Sequence, residues 1–263
     1  MTGINSIEMS ILIPAFLAGM LVLSTHVPLG RQVLARGIVF IDLAIAQVAG
    51  LGVTVAGAGL GSEAPGWSVQ LAAFSAALLG ALLLTWTEKK WPEMQEALIG
   101  VLFVAAACIE LIVLSNNPHG GEHLKDLLVG QILWVSPSSL VPTAVFYAFA
   151  LLIWFTLRKR IGQIGFYVLF ALVVTQSVQI VGIYLVFASL IVPALAAKRF
   201  APHLGLWVGY GVGLAGYVLG LVISSKLDWP TGAVIVVTLV LAFAVAVVVS
   251  AAVPKGWRAA SGA

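Results

Sequence analysis

Two carboxylates stand inside long apolar runs of this chain, Asp42 and Glu110. A carboxylate in hydrocarbon is costly unless it is paired or wet, so each is a candidate for handling a cation. Asp42 reads as a cation ligand or gate, or else as an edge aspartate paired with Arg36. Glu110 has no charged neighbour in sequence and reads as a path ligand, or as a buried acid hydrogen-bonded to an adjacent helix. Gln47 lies about 140° round an α-helix from Asp42, so the two share a ligand only where the helix is wound wide.

Outside the apolar runs, the stretch 116–137 gathers His119, Glu122, His123 and Asp126. Imidazole and carboxylate together suit a transition metal, which makes this a candidate for external metal capture. His119 and His123 would share a helix face, although Pro118, Gly120 and Gly121 argue against helix at the start of the stretch. A second polar cluster, Pro193, Lys198, Arg199, Pro202 and His203, is a basic segment bounded by prolines. It suits a short docking helix for a soluble partner, or the ordinary basic edge of a span. Gln176 and Gln179 line a polar vestibule or tie helices together. His26 sits beside Pro28 at the inner end of the first apolar run and reads as interfacial.

What is missing narrows the chemistry. The spans hold no nucleophile with a base and no ligand cluster, so the chain does not read as an enzyme. Gly57–Gly61 is glycine-rich but lacks the lysine of a phosphate-binding loop, so any ATP must be bound by another chain. The single cysteine, Cys108, excludes an internal disulfide and reads as a packing residue. A net charge of +3, carried beside the apolar runs, does not suggest a nucleic-acid partner.

The elements that hold these residues follow from composition. The chain is 61% hydrophobic and 9% charged, against about a quarter charged in soluble domains. Nine apolar runs can be traced, roughly 9–28, 38–57, 67–87, 97–115, 138–157, 164–177, 180–197, 204–224 and 231–252. Their length and lack of period-2 alternation predict helices in a bilayer, not barrel strands. The fold class is all-α, a polytopic bundle of about nine helices forming one transmembrane domain over residues 1–263. The first ten residues lack the basic start of a signal peptide, so the first run reads as a retained span. Of the 13 Lys and Arg, 11 follow the odd-numbered runs, and only Lys125 and Lys226 lie on the other side. The positive-inside rule then puts the N-terminus outside and the C-terminus in the cytoplasm. Residues 164–197 are long for one span and short for two, which predicts a break near Gln176–Gly182. Gly209 with Gly213, and Gly216 with Gly220, are small-residue pairs that argue close helix packing.

Three stretches carry a resemblance. Residues 29–53 set Gly30, Arg36 and Asp42 at the entry to the second span. Ala97–Gly100 opens the fourth, followed by Asp126 and Gly130–Ser136. Gln179–Arg199 reads QIVGIYLVFASLIVPALAAKR. In this order they resemble the membrane subunit of the zinc/manganese-type metal ABC uptake transporters. The resemblance implies a permease for a divalent transition metal (zinc, manganese or iron), working as a homodimer in the bacterial inner membrane. It implies an ATPase subunit on the cytoplasmic face and an extracytoplasmic metal-binding protein as partners. No cofactor would be held stably; the metal would be cargo. Asp42 corresponds to the family's span-two aspartate and the 193–206 segment to its coupling element. Two departures mark a shortened, divergent member. The family's histidine four residues after that aspartate is replaced by Ala46, with Gln47 beside it. The cytoplasmic segment after the fifth span is reduced to Arg158–Gln163. A proton-coupled secondary transporter using Asp42 and Glu110, and a non-transporting scaffold of a metal-handling complex, remain the alternatives.

Overall fold

The computed structural model describes residues 6–60, 65–114, 120–157 and 160–252, with the backbone alone at 6–8, 59–60, 120, 122–123 and 202–203. Ten α-helices follow one another among these residues: α1 (Ser6–Arg36), α2 (Ile41–Leu60), α3 (Gly66–Lys90), α4 (Gln95–Leu114), α5 (Gly120–Val129), α6 (Pro137–Leu157), α7 (Gly162–Val181), α8 (Ile183–Lys198), α9 (Pro202–Leu227) and α10 (Thr231–Ala252). Single turns of 3₁₀-helix, Pro92–Met94 and Ile132–Trp134, precede α4 and α6. Eight of the helices are long and apolar enough to cross a membrane, and α8 is a shorter apolar helix. Each of the nine apolar runs thus becomes one helix. The tenth, α5, has ten residues and a length of about 15 Å, too short to cross.

Four details depart from the sequence expectation. First, α1 continues through Pro28 to Arg36. Proline lacks an N–H, so the Ser24 carbonyl one turn earlier loses its intrahelical donor. The Tyr210 hydroxyl of α9 donates to that carbonyl at 3.1 Å instead. His26 consequently lies fully buried inside α1, not at an interface. Second, α5 begins at Gly120 despite its two glycines. Leu124, Leu127 and Leu128 form an apolar stripe at i, i+3, i+4 that outweighs the glycine penalty of about 1 kcal/mol each. Third, Pro193 lies inside α8, and the helix runs on to Lys198. The segment bounded by two prolines is therefore a helix end, three connecting residues and the start of α9, with no separate docking helix. Fourth, Cys108 is exposed on α4 rather than packed.

The expected break in 164–197 is a single residue. Gly182, at φ +79°, separates α7 from α8. Gly130, at φ +71°, lies against it, and a Cβ on either glycine would overlap the other's backbone. Both conditions, positive φ and contact between main chains, admit only glycine.

The helices fall into two compact units. One comprises α1, residues Val129–Tyr147 and the chain from Ile180 onward. Here α1 packs on α8 and α9, and α9 on α10. The small residues of α9 do this work: Gly209 and Gly213 receive Val27 and Leu23 of α1, while Gly216 and Gly220 receive Leu239 and Ile235 of α10. The two predicted pairs thus serve two different neighbours. Tyr217 fills the space beside Gly19 and shares a 2.8 Å hydrogen bond with Ser189.

The other unit comprises Gly37–Leu128 and Ala148–Gln179. In it α2 packs on α3 and α4, with Gly52 pressed against Ala72 and Ala76. A polar knot joins three helices: Thr87 donates to Gln95 at 2.8 Å, and the Gln95 amide donates to the Leu84 carbonyl at 3.0 Å and the Tyr167 hydroxyl at 3.3 Å. Gln70 of α3 donates to Gln176 of α7 at 3.2 Å, so Gln176 ties helices together, while Gln179 is exposed.

Candidate functional site

The second unit holds a buried carboxylate with a full set of partners. Glu110 projects from the penultimate turn of α4 and is 1% exposed. Gln47 of α2 donates its side-chain amide to one carboxylate oxygen. Thr54 of α2 donates its hydroxyl to the other at 2.8 Å. Residues 47, 50 and 54 recur at i, i+3, i+7 and share one face of α2. Gly50, in the middle, leaves that face open, so that the Glu110 oxygens approach the α2 backbone. The result is a carboxylate held by an amide N–H and a hydroxyl O–H in an apolar surround, with its remaining lone pairs as oxygen donors. Such a set suits harder cations more than soft ones.

Asp42 belongs to a different place. It lies in the first turn of α2 and is 1% exposed. Neither of its oxygens has a hydrogen-bond partner among the described residues. The positive end of the α2 dipole offers the carboxylate partial compensation. Regular helix through α2 keeps Asp42 and Gln47 on different faces, and Gln47 is spent on Glu110. Ala46, where the family pattern has histidine, is buried and brings no ligand. Among the described residues, no group of three or more His, Cys, Asp or Glu side chains is placed to hold a metal.

The other sequence candidates are distributed as follows. Asp126 is exposed on α5. Glu122 and His123 lie on the same helix, with side chains outside the described set, and His119 lies outside the described residues. Pro193 is buried in α8, while Lys198 and Arg199 are exposed at its end. Pro202 and His203 open α9, their side chains outside the described set.

Two polar residues, Thr54 and Gln95, escaped the sequence reading. Thr54 was legible in principle, being seven residues after Gln47 and hence on its face. Gln95 offered no comparable signal; its partners Thr87, Leu84 and Tyr167 come from two other helices. His26, which the sequence marks out but as an interfacial residue, is held by the Val22 carbonyl at 2.9 Å and the Thr25 hydroxyl at 3.1 Å from Nδ1, with Nε2 lacking a partner among the described residues.

Comparison with known proteins places the chain in a family. The model of the ABC 3 transport family matches residues 8–166 and 157–250. A Haemophilus influenzae protein described as "Probable iron transport system membrane protein" is 27% identical over 177 residues, which is 59% of this chain and 65% of that protein's length. The manganese transport system membrane protein MntB of Synechocystis is 25% identical over 218 residues, 73% of this chain and 70% of MntB. Among solved structures, PsaBC from Streptococcus pneumoniae in complex with Fab superposes with a TM-score of 0.70 at 22% identity, covering 90% of each chain. That likeness shows the same fold: a polytopic all-helical membrane bundle. With the family model covering nearly the whole chain, across both units, this protein belongs to the ABC 3 transport family.

Proposed function

We propose that the chain is the membrane permease of an ATP-driven importer for a divalent transition metal in the bacterial inner membrane. The observation that carries the reading is the buried Glu110, held by Gln47 and Thr54, within a member of this family. The names of the relatives, iron and manganese transport proteins, support the cargo class. Oxygen donors and the loss of imidazole at position 46 favour manganese or ferrous iron over zinc.

In this reading the permease does no covalent chemistry. Two copies form the path, and the metal passes as cargo with no resident cofactor. Asp42 acts as ligand or gate at one level of the path; Glu110 and Gln47 act at another. His119, Glu122, His123 and Asp126 lie toward an extracytoplasmic metal-binding protein. The corner formed by Pro193, Lys198, Arg199, Pro202 and His203 meets the ATPase subunit, which hydrolyses ATP. The orientation is N-terminus outside, C-terminus inside. With α5 too short to cross, the eight long helices and the shorter α8 make nine crossings, which keeps the basic ends on one side.

The test is metal uptake into proteoliposomes holding the permease, its ATPase and its binding protein. Manganese accumulation that requires ATP and ignores an imposed proton gradient supports the proposal. Accumulation that follows the proton gradient without ATP would overturn it in favour of a secondary transporter. Accumulation unchanged in both Asp42→Ala and Glu110→Gln would remove the two carboxylates from the path, and no accumulation with the wild-type assembly would leave only a scaffold.

A further inference from the structure

One pocket lies apart from the carboxylates. It opens between the ends of α8 and α10, with a volume of about 540 Å³, lined by Leu195, Lys198, Arg199, Phe243, Val247 and Ser250 among others. That volume is in the range of small-molecule sites. The walls divide by chemistry. Lys198 and Arg199 supply two exposed cations at the mouth. Leu195, Phe243 and Val247 supply an apolar wall. The Ser250 hydroxyl is committed to the Val247 carbonyl at 2.6 Å, so among the described lining side chains Lys198 and Arg199 are the donors left for an anion.

We propose that this pocket binds an anionic phospholipid, its phosphate between Lys198 and Arg199 and an acyl chain along Phe243 and Val247. Charge complementarity selects an anion; depth selects a lipid. Phe243 lies nine residues before the end of α10 at Ala252, about 13 Å along the helix. The pocket therefore extends more than two turns along a helix long and apolar enough to cross a membrane. The neighbouring face of α10 is exposed and apolar at Leu241, Val245, Val248 and Val249, so the pocket continues a lipid-facing surface. An acyl chain matches an apolar slot that opens onto a lipid-facing surface. Basic pockets between membrane helices bind anionic head groups by this combination. The inference does not rest on the transport reading, since binding is a property of the permease alone.

The experiment uses the purified full chain in nanodiscs with spin-labelled phosphatidylglycerol and, separately, spin-labelled phosphatidylcholine. The wild type should restrict phosphatidylglycerol with a preference of roughly tenfold over phosphatidylcholine. Lys198→Gln with Arg199→Gln should bring the preference to near onefold. Lys198→Arg with Arg199→Lys should retain most of it, which separates lost charge from a damaged fold. Lys89→Gln with Lys90→Gln, at another basic helix end, should leave it unchanged. Preference that survives the first double variant, or falls equally in the Lys89 and Lys90 control, overturns the site. Release of the restricted lipid by millimolar glycerol phosphate shows a free-phosphate site and overturns the lipid. Because the same corner is read as meeting the ATPase, loss of a copurifying ATPase in the first double variant counts against the lipid only when the lipid preference is retained, which leaves the two cations to the ATPase contact alone.

Discussion

At the residue scale, the two membrane carboxylates make opposite demands on the fold. Glu110 is anchored, so Glu110→Ala strands the Gln47 amide and Thr54 hydroxyl and should lower stability by about 1–3 kcal/mol. Glu110→Gln keeps a partner for both and should cost less, while removing the charge that a metal requires. Asp42 is unanchored, and Asp42→Ala removes a buried group that lacks partners among the described residues. It should leave stability unchanged or raised while abolishing metal uptake. Melting curves in detergent read the first effect and proteoliposome uptake the second. A drop in melting temperature for Asp42→Ala as large as that for Glu110→Ala would contradict this contrast. Both carboxylates were visible in the sequence, because charge in an apolar run stands out. Their partners were less so: the Gln47–Thr54 face follows from helix periodicity, but which helix would supply Glu110 to it is a tertiary fact. Gln95 lay beyond reach for the same reason.

At the element scale, apolar length fixed each helix, and proline and glycine misled at its edges. Pro28 looked like a terminus because a helix normally cannot afford the lost donor; the donor came from Tyr210, nearly two hundred residues away. Tyr210→Phe should therefore destabilise the protein by about 1 kcal/mol or more. In a Pro28→Ala background, where the backbone N–H is restored, the same change should cost much less, and a double-mutant cycle measures the coupling. Gly182 was legible as part of a break because the apolar run was too long for one span and too short for two. Gly182→Ala forces a side chain into positive φ and into the Gly130 backbone, and should cost well over about 1 kcal/mol. A Gly182→Ala protein that melts like the wild type would show that the two segments have room to part. The α5 helix escaped notice because its Pro-Gly-Gly approach masked the leucine stripe behind it.

At the scale of the whole molecule, hydropathy and basic-residue placement carried most of what could be read. Nine runs became nine helices since a bilayer leaves a backbone few other ways to satisfy itself. The division into two units was not legible, because each unit draws on chain segments far apart in sequence. Orientation is open to direct measurement. In a Cys108→Ala background, Ser225→Cys should react with a membrane-impermeant maleimide in intact cells, and Glu93→Cys only after the cells are opened. Both positions are exposed, so the reversed pattern would invert the topology.

The meeting of Gly130 with Gly182 constrains how this protein can change over evolutionary time. Most tight contacts permit reciprocal adjustment: one partner enlarges, the other shrinks. Neither of these residues has anything left to give up, so a lineage that substitutes one has no compensating move at the other. Natural variation should therefore skirt this pair even where the surrounding helices drift freely.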